Sequence, residues 1–298
     1  MCGIVGLFAK SEGIENQLGV HLFNMLIEMT ERGPDSAGIA VYRNPVEASI
    51  TKLTLLSPSD DYDWAKLEKA LSESFNSEAE LQVHANHAVL LLHRESKGIY
   101  NWFYEHFPEL YINSSGSTIE IYKDKGLPEN VLKRFEVDKL TGTHALGHSR
   151  MATESAVTIQ HSHPFSTGED LCLVHNGSLS NHYTLKENLE KEGIIFRTDN
   201  DSEVAAGYLM HRLREGDTLE EALDRGLVEL DGFYTFAIGT KDGFAVLRDP
   251  FACKPAVMAE TDDWVAMASE YRAIAVLPGA KNAECWEPAP AQIYSWSH

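Results

Sequence analysis

The sequence predicts an α+β fold, and three observations carry that prediction. Strand-like and helix-like segments arrive in clusters, without the regular alternation that builds a doubly wound parallel sheet. Two apolar runs, Phe233–Gly239 and Phe244–Leu247, flank Thr240-Lys241-Asp242-Gly243 and read as an antiparallel hairpin. No internal repeat recurs and no low-complexity linker divides the 298 residues, of which 43% are hydrophobic. That length buries a substantial core, so residues 1–298 are expected to form a single domain.

Ile4–Ala9 is a short apolar run that reads as a buried strand at the first residues of the chain. Leu18, Leu22, Met25, Leu26 and Met29 recur at helical spacing and predict an amphipathic helix, stopped before Arg32-Gly33-Pro34. Gly38–Tyr42 is a second strand. From about 45 to 140 the chain is polar and poor in motifs, and we expect an insertion there. It holds a helix (Trp64–Phe75), a strand (Ala88–His93) and an aromatic-rich segment (Tyr100–Phe107). Between His144 and Gly177 the sequence is motif-dense and reads as turn-rich. A helix follows Asp201, at Val204–Leu213, and another starts at Thr218, where Glu221 completes a capping box. Val265–Ala268 and Gln292–Tyr294 are later strand candidates.

Charge narrows the function classes. With 25 basic against 45 acidic side chains and a formal charge of −20, the chain lacks the basic surface that nucleic acid requires. The longest apolar runs, such as Ala88–Leu92, have core-strand length, and the start MCGIVGLFAK is too short in apolar residues for a signal peptide or anchor. Cys2, Cys172, Cys253 and Cys285 are scattered without a CxxC pair, so neither a disulfide framework nor a zinc knuckle is indicated and the cytoplasm is the expected compartment. His161, His163, His144 and His148 are metal-ligand types, yet no carboxylate or cysteine completes a spaced set. Ordinary hydrogen-bonded histidines, and no metal, are expected.

Cys2 has two readings. A cysteine beside the initiator Met is ordinarily a small core residue. Removal of Met1 would free its α-amine, which titrates near ~7.7–8.0, so one residue then supplies a thiol nucleophile and its own general base. Six further segments weigh on the choice: RGPDSAG (32–38), GHSRMATES (147–155), HNGS (175–178), TDNDSE (198–203), RDPFACKP (248–255) and ASE (268–270). With MCGIVG they stand in the order found in class II glutamine amidotransferases, which the chain resembles over nearly its whole length.

That resemblance implies a four-layer αββα N-terminal-nucleophile hydrolase sandwich of antiparallel sheets. It assigns Cys2 as nucleophile, with the Asn176 amide and the Gly177 backbone N–H as the oxyanion hole; by itself His-Asn-Gly reads as a β-turn. Arg150 would hold the glutamine carboxylate bidentately and Asp201 its ammonium, although Asp201 also suits a helix N-cap and Asp199 is a near miss. Met151, Ala152 and Thr153 would line the pocket, with Thr153 as its hydrogen-bonding member. Arg32 and Asp35 would support the nucleophile, and Arg248, Asp249 and Lys254 would close a nearby loop.

The chain departs from the synthetases of this family by ending shortly after ASE, without a P-loop or a GxGxxG. Ammonia is therefore expected to pass from L-glutamine to another subunit in a hetero-oligomer. Of the family's branches, the chain looks most like the glutaminase subunit of N-methylglutamate synthase and its glutamate-synthase-like relatives. There FMN and an iron–sulfur centre sit on the partner, and none of these steps needs a cofactor on this chain. Two rival readings are a stand-alone γ-glutamyl amide or peptide hydrolase and a non-catalytic regulatory or assembly module.

Overall fold

The computed structural model describes residues 2–77, 79–93, 98–152 and 157–298. In chain order it opens with β1 (Gly3–Ala9), the helix Leu18–Ile27 and β2 (Ser36–Tyr42). Next come β3 (Thr51–Leu56), the helix Trp64–Phe75, β4 (Ala79–His84), β5 (His87–Leu92), the helix Ile99–His106 and β6 (Tyr111–Gly116). They are followed by β7 (Ile119–Lys125), the helix Pro128–Arg134, β8 (His144–Arg150), β9 (Phe165–Gly168) and β10 (Leu171–Leu179). Three helices, His182–Lys191, Asp201–Arg214 and Leu219–Glu229, precede the hairpin of β11 (Gly232–Thr240) and β12 (Gly243–Arg248). β13 (Val257–Glu260), β14 (Trp264–Ala268), the helix Tyr271–Ala275, β15 (Glu284–Trp286) and β16 (Ile293–Ser297) complete the order.

Seven strands form one sheet in the order β15-β13-β14-β1-β8-β2-β7, and five form a second, β16-β12-β11-β10-β9. Neighbouring strands run antiparallel in both. Alternation along β1 shows how the layers stack. Ile4 and Phe8 join Leu146, Val174, Ala237 and Phe244 in a core between the sheets, while Val5 and Leu7 face Leu18, Leu22, Met25 and Leu26. Burial on both faces is why the run reads as continuously apolar and not alternating. Beyond the second sheet, Leu173, Phe236 and Leu247 pack under Val204, Leu209 and Leu223 of the helices. Helices, two sheets and helices thus make the four layers. The capping box at the last long helix is present, the Thr218 hydroxyl and Glu221 carboxylate each accepting from the other's backbone N–H.

The expected insertion divides in two. Residues 51–116 supply a third sheet, β4-β5-β3-β6, with its own core of Leu53, Leu55, Leu67, Leu90, Trp102 and Phe103. β7 instead pairs with β2 in the large sheet. Asp170 caps the turn that leads from the third sheet into β7: its carboxylate accepts from the backbone N–H groups of Ser117, Thr118 and Ile119 and from the Ser117 and Thr118 hydroxyls. These bonds hold its pKa below the usual carboxylate value despite opposing burial.

The stretch read as turn-rich carries two of the framework's central strands. β8 lies between β1 and β2, and β10 between β11 and β9. His-Asn-Gly is therefore strand and not turn: His175, Asn176 and Gly177 pair with Phe236, Thr235 and Tyr234.

Candidate active site

Cys2 sits just before β1, where three motifs meet. Gly3 pairs with Ser149, and a Cβ on Gly3 would lie 2.7 Å from both the Met29 Cβ and the Ser149 Oγ, so nothing bulkier fits beside the thiol. Arg32 Nε donates to the Cys2 carbonyl at 2.9 Å, and its Nη1 pairs with Glu270 Oε1 at 2.6 Å. Arg32 and Arg272 hold the Glu270 carboxyl below its ordinary pKa. Ser269 accepts the Ile4 N–H on its hydroxyl at 2.9 Å and donates its own N–H to the Ile4 carbonyl at 2.9 Å. Cys2 Sγ lies 3.9 Å from the Met151 carbonyl.

The RGPDSAG segment clamps the strand that follows. Gly33 is pressed against the Ser149–Arg150 backbone, and a Cβ there would come within 2.3 Å of the Ser149 carbonyl carbon. Asp35 donates its N–H to the Arg150 carbonyl at 3.0 Å and accepts from Ala152 N at 2.8 Å. Arg150 at the end of β8 is buried, which pushes its pKa down, while Cys2, Asp35 and Asp201 lie in electrostatic range and oppose the shift. Met151 is partly exposed, and Thr153 lies outside the described residues.

From the second sheet come Asn176 and Gly177. The Asn176 amide is buried, and its Nδ2 has no hydrogen-bond partner among the described residues. Gly177 has φ +153°, and a Cβ there would lie 1.9 Å from the Phe233 carbonyl oxygen, which only glycine avoids. Asp201 is the first residue of its helix, next to an Asn200 that does the capping: Asn200 accepts the Ser202 N–H at 2.9 Å. The N-cap reading of Asp201 is thereby replaced, and its carboxylate instead accepts from Leu179 N at 2.9 Å and from the Ser202 hydroxyl at 3.2 Å. A link between the sheets holds the two halves together: His148, two residues before Arg150, donates from Nε2 to the carbonyl of His175 at 3.1 Å.

The other motif residues brace this framework. Asp249 accepts from Tyr234 N, the residue opposite Gly177, at 3.0 Å, and Arg248 donates to the Pro288 and Lys254 carbonyls. Lys254 takes part through its backbone carbonyl, which also accepts from the Thr235 hydroxyl. His144 bonds to the Thr240 carbonyl, and His161 to the Thr158 hydroxyl. Among the described residues no group of three or more His, Cys, Asp or Glu side chains is arranged to hold a metal, and no helix is long and apolar enough to cross a membrane. A cavity of about 610 Å³ opens between the inserted layer and the main body, lined by Tyr100, Tyr104, Met210 and Arg214 and not by Cys2. The candidate site is placed at Cys2 instead, where Arg150 comes within electrostatic range of Cys2, Asp35 and Asp201.

Residues 148–276 match a family model described as a glutamine amidotransferase domain. Over its full length the chain is 51% identical to the "Glutamine amidotransferase-like protein GlxB" of Rhizobium meliloti (strain 1021), covering 99% of that protein. The chain belongs to the class II glutamine amidotransferase family. A putative glutamine amidotransferase of Methanothermobacter thermautotrophicus is 30% identical over 99% of both chains. Among solved structures, the glutamine phosphoribosylpyrophosphate amidotransferase from B. subtilis, complexed with ADP and GMP, aligns with a TM-score of 0.63 at 22% identity. That alignment covers 99% of this chain and 47% of the other. The likeness establishes the N-terminal-nucleophile hydrolase fold expected of this amidotransferase, which spans about half the length of that solved chain.

Sequence reading left several site residues without a role. Ser269 and Glu270 stood in the quoted ASE segment, but their partners lie 265 and 238 positions away and no local pattern reveals such pairs. His175 and Ser202 likewise stood inside quoted motifs of the amidotransferase and were passed over for their neighbours Asn176 and Asp201.

Proposed function

We propose that this amidotransferase hydrolyses the side-chain amide of L-glutamine through a Cys2 thioester and hands the ammonia to a separate synthase subunit. The observation that carries the reading is convergence: buried Arg150 lies within electrostatic range of Cys2 and Asp201 at once. An arginine between a thiol and a carboxylate can grip the substrate carboxylate while Asp201 takes the ammonium. The neutral α-amine of Cys2, freed by loss of Met1, takes the thiol proton. Sγ then adds to the amide carbon, and the developing oxyanion accepts from Asn176 Nδ2 and the Gly177 N–H. Collapse of this intermediate expels ammonia, and water hydrolyses the γ-glutamyl thioester to glutamate. Met151 and Thr153 complete the pocket wall in this scheme, and Arg32 and Asp35 hold the nucleophile and the Arg150 strand in place.

We further assign the acceptor to the glutamate-synthase-like or N-methylglutamate synthase class, on the motif resemblance. FMN and an iron–sulfur centre would then belong to the partner of a cytoplasmic hetero-oligomer. The four unpaired cysteines suit that reducing compartment. The test is mass spectrometry of protein treated with an electrophilic glutamine analogue. Label is expected on an N-terminal peptide lacking Met1, with glutamate release abolished by Cys2→Ala. Label on Cys172, Cys253 or Cys285 would refute the mechanism, and hydrolysis of γ-glutamyl peptides in preference to glutamine would favour the stand-alone hydrolase. Copurification of the chain with a flavoprotein is expected if the acceptor assignment holds.

A further inference from the structure

Beside the site lies a buried network, drawn from β8, β10, His163 and the helix that begins at Asp201, that catalysis as proposed does not use. The rings of His148 and His163 stack at 3.9 Å with an interplanar angle of 10°. His163 Nε2 lies 3.3 Å from Ser202 Oγ, and His175 Nδ1 lies 2.9 Å from the same oxygen. All four residues are buried.

Obligatory donors and acceptors fix every proton in this cluster. The Asp201 carboxylate can only accept, so the Ser202 hydroxyl hydrogen goes to Asp201 Oδ1. Ser202 Oγ is then left with its lone pairs, and both facing nitrogens must donate to it. His175 therefore carries its proton on Nδ1 and His163 on Nε2. The second nitrogen of His163 agrees, because its Nδ1 accepts the His175 backbone N–H at 3.4 Å. His148 carries its proton on Nε2, since that nitrogen faces the His175 carbonyl. Three neutral rings and one saturated hydroxyl result, with His148 Nδ1 and His175 Nε2 left as buried acceptors without a hydrogen-bond partner among the described residues.

We propose that Ser202 is a positioning residue that reserves the Asp201 carboxylate for a substrate ammonium. The inference rests on the assignment of Asp201 to that ammonium and extends it to the control of specificity. His175 Nδ1 lies only 3.8 Å from Asp201 Oδ1, so without the hydroxyl its N–H is the nearest competitor for that oxygen. Ser202 engages this N–H and holds Asp201 Oδ1, while the other oxygen is pinned by Leu179 N. The groups facing His175 are Asp201 from the helix, His148 from β8, His163 and, at longer range, Lys254. The same ring also packs under Gly177, where a Cβ would lie 2.7 Å from His175 Nε2, so one imidazole serves both halves of the pocket.

The test compares glutamine with glutaramate, its analogue lacking the α-ammonium, as ligands of the full-length Cys2→Ala protein with and without Ser202→Ala. Ser202→Ala is expected to weaken glutamine about tenfold and glutaramate less than twofold, with Ser202→Thr restoring most of the preference. An unchanged glutamine-to-glutaramate ratio overturns the proposal, because a merely structural defect would weaken both ligands alike. Long-range ¹⁵N–¹H correlation spectra of histidine-labelled wild-type protein provide a measurement independent of any variant's folding. They should show His175 protonated at Nδ1 and His163 at Nε2, and a proton on His175 Nε2 overturns the network. Failure of the parent reading is separately visible, as wild-type protein that releases no more glutamate than Cys2→Ala.

Discussion

Replacing Asn176 with alanine should pull activity and stability in opposite directions. The amide Nδ2 is buried and unpartnered among the described residues, so the folded protein carries a desolvated donor costing about 1–3 kcal/mol. Asn176→Ala removes that cost and gives up some packing, about 1 kcal/mol for a side chain of this size. The net is an unfolding free energy unchanged or raised by up to about 2 kcal/mol, which moves Tm by zero to roughly +6 °C in a protein of this size. In the proposed reaction the same amide would donate to the developing oxyanion, and losing it would then cost roughly 10²–10³ in kcat, about 3–4 kcal/mol. The assay pairs glutamate release at saturating glutamine with a thermal melt of the same preparation. A Tm drop of several degrees with kcat nearly intact would refute the reasoning, because it would make Asn176 a structural residue.

Four further outcomes follow from the geometry. Gly33→Ala should destabilise by about 1–3 kcal/mol and abolish turnover, since its Cβ overlaps the Ser149–Arg150 backbone; urea unfolding reads the first and glutamate release the second. Glu270→Gln keeps the shape but neutralises a half-exposed partner of Arg32, so stability should change by less than about 1 kcal/mol while kcat/KM falls severalfold, measurable from initial rates. Asp170→Ala strips five hydrogen bonds that cap the turn between β6 and β7, and should cost about 2–4 kcal/mol and expose the 117–119 backbone to hydrogen exchange. Burial pushes His87, His144 and His148 down to about 3, far below the unfolded value near 6.5. Between these values the unfolded chain binds more protons, so stability is full above pH 6.5 and falls as pH drops, by up to about 1.4 kcal/mol per pH unit for each ring. A urea midpoint that stays flat from pH 7 to 5 would contradict this, and His148→Gln should shallow the slope.

Local patterns revealed the elements whose stability is local. The helix Trp64–Phe75 carries its own periodicity and has an N-cap at Asp63, and the β11–β12 hairpin has its own turn. The strands β8 and β10 carry no alternating or apolar pattern because several of their polar residues are buried, some of them bonded across the interface between the sheets. His148 bonding to the His175 carbonyl is one such pair, and nothing in Gly-His-Ser-Arg signals a strand buried on both faces. β3 was hidden in the same way: Lys52 is buried because its ammonium pairs with Glu120 at 2.7 Å. At the candidate site the motif residues were legible one at a time. What joins them, such as Glu270 bracing Arg32 and Ser202 standing between His175 and Asp201, depends on approaches that only the folded chain makes.

The pairing of β1 with β14 constrains how this protein can be made. Ile4 bonds to Ser269, which is synthesised 265 positions later. Until then a fully apolar strand destined for the interior of a seven-stranded sheet has one long edge without its neighbour, a state open to aggregation or chaperone capture. The same delay leaves Arg32, which bonds the Cys2 carbonyl, without its Glu270 partner until late in translation. If Cys2 releases ammonia as proposed, a site braced by residues so far apart in the sequence is completed only after Glu270 has been made, which would spare glutamine during synthesis.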